Sequence, residues 1–133
     1  ITYETADLTV TAKGLTITAT AQNKEYGSTL TAGTGYTEFT SVGLANAETI
    51  GSVTSAYSDG EAAADAVGVK SDAISISAAT GGTFTAGNYS ITYETADLTV
   101  TAKGLTITAT AQNKEYGATP SPYRPSGSRY RVR

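Results

Sequence analysis

The chain has 133 residues, a formal net charge of −3, and no Cys, Met, Trp or His. That composition excludes disulfide staples and thiolate chemistry, and it removes the commonest general base and metal ligand. Arg124, Arg129, Arg131 and Arg133 all lie in the last ten residues, so the body before them carries an acidic excess that repels nucleic acid and anionic lipid. No apolar run is long enough to span a membrane, and no signal-peptide pattern is present.

Residues 1–27, ITYETADLTVTAKGLTITATAQNKEYG, return letter for letter as residues 91–117, an offset of 90 residues. A period of that size marks an array of similar modules. The chain then divides into residues 1–13, the closing strands of a preceding repeat; residues 15–103, one complete module; residues 105–117, the opening strand of a following repeat; and a Pro- and Arg-rich tail, 118–133.

In chain order, Leu8–Ala12 and Leu15–Ala21 alternate apolar and hydroxyl residues. Period two places Leu8, Val10 and Ala12 on one face and the threonines on the other, as in a half-buried strand. Lys13-Gly14 separates the two runs and reads as a module junction, where glycine lets the chain turn or swivel. Tyr36–Leu44 is a second predicted strand anchored by Tyr36, Phe39, Val42 and Leu44, and Ile50–Tyr57 is a third. Asp59-Gly60 signals a turn, and Glu61–Ala66 has the Ala and Glu content for a helical turn or two. Val67–Lys70 and Ala73–Ser77 read as short strands, with Ile74 and Ile76 inward, followed by a loop at Ala79–Gly82. Ala86-Gly87-Asn88 is a tight turn. Tyr89–Tyr93 alternates again, Ala96-Asp97 turns the chain, and Leu98–Ala102 closes the module.

About seven short strands with turn signals every 8–12 residues predict an all-β fold. The expected architecture is an immunoglobulin-like antiparallel β-sandwich enclosing Leu15, Ile17, Phe39, Ile50, Ile74, Ile76, Phe84, Ile91, Leu98 and Val100. One module's first strand begins where the previous module's last strand ends, so the two ends of a module are expected at opposite poles. A 13-residue edge then spans about 40 Å at roughly 3.3 Å per residue.

The segments Leu15–Ala19, Lys24-Glu25-Tyr26-Gly27, Gly87-Asn88-Tyr89 and Leu98–Thr101 resemble the MBG (YGX-type) repeats of large bacterial surface adhesins. In that pattern an opening strand leads to a Lys-x-Tyr-Gly corner, then a Gly-Asn-Tyr turn, then a closing Leu-Thr-Val-Thr strand. The resemblance covers residues 1–117 and implies small β-sandwiches in tandem on a secreted or cell-surface protein, without catalytic residues. The family's linker often carries Pro, where this chain has Lys-Gly.

Several residues invite a chemical reading. Asp59, Glu61, Asp65 and Asp72 are weak calcium candidates: calcium needs six or more converging oxygens, and the spacing fits no EF-hand loop, so a solvated acidic loop is the plainer reading. Asn88-Tyr89-Ser90 fits a glycosylation sequon but reads first as the turn. Tyr26-Gly27 reads as a structural corner rather than a binding corner. Lys24 and Lys70 are candidates for an amide cross-link, but Lys24 sits in the polar run Gln22–Glu25 and reads as exposed. No Ser–His or Cys–His pair exists, no carboxylate pair is arranged for hydrolysis, and the glycine runs lack a phosphate-loop pattern. No enzyme activity and no cofactor is therefore expected.

The duplicated arms carry apolar faces: Ile1, Tyr3, Leu8 and Val10 in the first, Leu105, Ile107 and Tyr116 in the second. Tyr130 and Val132 alternate with arginines in the tail. Isolated strands of this kind are unstable alone and seek a sheet edge, so the expected partners are copies of the chain, joined head to tail by strand pairing into a filament. The predicted role is the stalk or fibre of a bacterial adhesin, extracellular or at the cell surface. The alternative is a glycan- or host-surface-binding sandwich: a contiguous outward tyrosine patch favours glycan binding, and tyrosines packed into the core favour the stalk.

Overall fold

The computed structural model describes residues 1–118. Eight strands form the sandwich: β1 (Lys13–Ala19), β2 (Gln22–Glu25), β3 (Gly33–Tyr36), β4 (Phe39–Val42), β5 (Ser52–Tyr57), β6 (Gly68–Thr80), β7 (Tyr89–Glu94) and β8 (Ala96–Thr101). One sheet has the order β4-β1-β7 and the other β2-β8-β6-β5-β3. A 3-10 turn, Ala86–Asn88, precedes β7.

The period-two pattern decides what is buried. In β1, Leu15, Ile17 and Ala19 face inward while Thr16 and Thr18 lie between them on the wetter face. From the opposite sheet come Val53, Ala73, Ile74, Ile76 and Leu98, and Phe39, Ile50, Phe84 and Ile91 are half-buried against this cluster. Each large side chain so buried contributes roughly 1.5–3 kcal/mol of hydrophobic stabilisation. Of the expected core, Leu15, Ile17, Ile74, Ile76, Leu98 and Val100 are buried, while Phe39, Ile50, Phe84 and Ile91 only flank it, and Ala19, Val53, Ala73 and Tyr89 are buried in addition. Val42 departs from it: expected as an anchor, it is 75% exposed.

The expectation of purely antiparallel sheets is corrected. β1 runs parallel to β7, and β2 runs parallel to β8. Lys13 stands opposite Tyr89 and Glu25 opposite Thr101, the same offset of 76 residues in both sheets. Residues 13–25 and 89–101 thus form two parallel ribbons that pass together from the smaller sheet into the larger. The first ribbon bends at Thr20-Ala21 and the second at Thr95. The chain enters the sandwich beside Tyr89 and leaves it beside Glu25, at opposite ends of this ribbon pair.

Other boundaries moved for local reasons. The predicted strand Tyr36–Leu44 takes in only the last residue of β3 and then β4, which lie in different sheets. The two short strands expected from Val67 to Ser77 are one, β6, whose register shifts between Lys70 and Ile74 and opposite Ser52–Thr54. Asp72 (φ 53°) and Ala78 (φ 50°) adopt left-handed backbone there, as bulged positions do. Ala96-Asp97 lies within β8 rather than forming a turn.

Glu61–Ala66 forms turns and no helix, because its carbonyls are taken by another segment. Glu61 O accepts from Leu30 N (2.9 Å) and Ala63 O from Gly27 N (3.1 Å), while Ala62 O accepts from the Lys24 ammonium. Gly14 is strand, paired with Ser90, and does not act as a swivel. A Cβ on Gly43 would lie 2.5 Å from the Gly14 carbonyl oxygen, so the backbone is closely packed at this junction.

Leu8–Ala12 is not strand here. Residues 1–12 and 105–115 form no strand, and their side chains are exposed. The pairing that residues 1–12 could make with β1 and β2 is already made by their copy, 91–102.

Candidate assembly surface

Residues 1–12 repeat 91–102, which supply most of β7 and all of β8, and residues 105–117 repeat 15–27, which include most of β1 and all of β2. The arms therefore repeat the sequences of the two halves of the parallel ribbon pair. Among the arm residues expected to assemble, Ile1, Tyr3, Leu8, Val10, Leu105, Ile107 and Tyr116 are all exposed. Tyr130 and Val132 lie outside the described residues.

At the end where the chain enters the sandwich, a cleft of about 330 Å³ lies between Val10–Lys13, the Ala45–Glu48 turn and Gly87–Tyr89. Tyr89 anchors its wall. Its hydroxyl accepts from Ala45 N (3.0 Å) and donates to the Glu48 carboxylate. That hydrogen bond to Glu48 holds the Tyr89 phenol above its ordinary pKa, and partial burial acts in the same direction.

At the exit end, Lys24 overturns its sequence reading. It is only 5% exposed, because Asn23 and Glu25 point outward and period two sends the lysine in. Its ammonium donates to the carbonyls of Ser28 (2.8 Å) and Ala62. Tyr26 N donates to Thr101 O (2.8 Å), and Gly27 takes φ 94° to turn the chain. The Tyr26 ring is 44% exposed.

Three of the four carboxylates considered for calcium have separate contacts. Asp59 lies 3.7 Å from the Lys70 ammonium, and Asp65 accepts from Ala62 N (2.8 Å). Asp72 accepts from the Thr95 hydroxyl (2.6 Å), and Asp72 N donates to the Asp97 carboxylate (2.9 Å). These contacts pin the bend of the second ribbon where it changes sheets. Among the described residues no three His, Cys, Asp or Glu come together as a metal site.

Four tyrosines belong to the core. Tyr89 is buried, and Tyr36, Tyr57 and Tyr93 are half-buried against the same cluster. Tyr36 is the one whose buried hydroxyl has no hydrogen-bond partner among the described residues. Burial, then Tyr57 and Glu38 nearby, push its pKa up to about 12. Asn88 of the sequon is exposed, at the end of the 3-10 turn.

Nothing in the sequence signalled the burial of Lys24 beyond its position in the alternation, and nothing linked Asp72 to Thr95. Among the described residues no helix is long and apolar enough to cross a membrane. No family model matches the chain, no curated protein matches it, and no solved structure matches it.

Proposed function

We propose that this chain is a tandem-repeat structural module of a bacterial surface adhesin, a segment of a stalk or fibre whose modules join end to end through the duplicated strands. The parallel ribbon pair carries this reading. It brings the chain in at one end of the sandwich and out at the other, and only Ala102 separates the end of β8 from Lys103, where the repeat places the next opening strand. Successive modules would abut with no free linker. The core packing of Tyr36, Tyr57, Tyr89 and Tyr93 favours the stalk over a glycan-stacking face, which needs exposed rings.

Separate chains would join by exchange. The 105–117 arm of one molecule takes the place of residues 15–27 in the next, with the same contacts because the residues are the same. Weakening the inner copy alone tests this. Ile17 is fully buried and Ile107 is 86% exposed, so in an Ile17→Ala chain the neighbour's arm fits the site better than the chain's own strand. Sedimentation should show concentration-dependent association of Ile17→Ala and none of the Ile17→Ala/Ile107→Ala double variant. A monomeric Ile17→Ala chain that remains folded would overturn arm exchange.

A further inference from the structure

The repeat brings two features of the module to one place. At the exit end, Tyr26 N is hydrogen-bonded to Thr101 O. Thr101 occupies in the second copy the position that Thr11 occupies in the first. Thr11 lines the entrance cleft, together with Asn46, Glu48, Asn88 and Tyr89. In a chain of successive modules, the residue that holds Tyr26 is therefore the residue that walls the next module's cleft.

We propose that Tyr26 of one module seats in the entrance cleft of the module that follows it, and that this contact stiffens the joint. The inference rests on the end-to-end reading above. The occupant is a neighbouring copy of this same sequence, and its position is set by one backbone hydrogen bond and by the single residue, Ala102, between β8 and the next opening strand. Tyr26 differs from the core tyrosines in leaving nearly half of its surface unburied within its own module. The cleft suits an amphipathic ring: between modules the place of Val10 is taken by Val100, which is buried in the preceding core, so Ala12 and the Gly87 backbone line the apolar side, while Asn46, Glu48 and Asn88 can meet a phenol hydroxyl.

The test uses the full chain lengthened by one further copy of residues 14–103, which gives two complete modules. Hydrogen exchange of the cleft amides Ala45 and Asn88 should be about tenfold slower in the second module, whose cleft faces a preceding Tyr26, than in the first. Tyr26→Ala in the first module should remove that difference, and Tyr26→Phe there should retain most of it. Tyr26→Ala in the second module should leave it intact, and this variant also controls for folding. If Tyr26→Ala acts alike in both modules, or leaves the difference in place, the ring packs only on its own module and the seat is disproved. X-ray scattering of the unsubstituted chain separates the two ideas: an elongated particle without the Tyr26 effect leaves end-to-end stacking standing and removes only the seat.

Discussion

The ammonium of Lys24 donates to the carbonyl of Ala62, 38 residues downstream, and so ties the exit end of the first ribbon to the loop after β5. Lys114 occupies the identical sequence, Gln-Asn-Lys-Glu, and lies exposed in the arm. Lys24→Ala should therefore cost about 2–4 kcal/mol, through a lost stem and orphaned carbonyls. Lys114→Ala should stay within about 0.5 kcal/mol of the parent. Urea denaturation of the two variants checks this, and equal costs would mean that the two copies share one environment.

The module junction should respond to glycine replacement in an asymmetric way. Gly14 has open space around it, whereas a Cβ on Gly43 (φ 115°) meets the Gly14 carbonyl oxygen. Gly14→Ala is expected to be neutral or to stabilise by up to about 1 kcal/mol. Gly43→Ala is expected to cost on the order of 1–3 kcal/mol. Thermal melts distinguish the two, and a destabilised Gly14→Ala would restore a swivel at that site.

These two cases show what could be read before the structure. The alternation of Leu15, Ile17, Leu98 and Val100 reports the core directly, because period two is a local property of a strand. The parallel pairing of residues 13–25 with 89–101 is a long-range property, and no local pattern carries it. The EAAADA segment fails for a related reason. Its helix propensity is a weak prior, and Lys24, Gly27 and Leu30 take the carbonyls that a helix would use. The arms show the limit most plainly: two identical 27-residue segments fold differently because each ribbon has only one place in a single sandwich.

Tyr36 should give the protein an alkaline limit. Its pKa rises from 10.0 to about 12 on folding, so the folded state keeps a proton that the unfolded chain releases. Its contribution is fully present below pH 10 and is lost as pH climbs through about 12. Tyr36→Phe removes a buried hydroxyl that has no partner, so it should leave stability at neutral pH unchanged or slightly raised. It should also reduce the fall between about pH 10 and about pH 12. Tyr89 is shifted in the same direction, so part of the slope should remain. Denaturation at both pH values reads this out, and an undiminished slope would place its origin elsewhere.

Asp72 should matter to the bend rather than to a metal. Asp72→Ala removes the acceptor of the Thr95 hydroxyl and should cost about 1 kcal/mol. The melting temperature of the parent should be the same with calcium and with chelator. A calcium-dependent rise that disappears in Asp72→Ala would instead assign that carboxylate to a cation.

The ribbon pair leads directly to one number. Small-angle X-ray scattering on chains lengthened by one, two and three copies of residues 14–103 should show the maximum dimension growing by about 40 Å per copy. Increments that stay near zero, or that shrink as copies are added, would mean that the modules fold back on one another and would contradict end-to-end stacking.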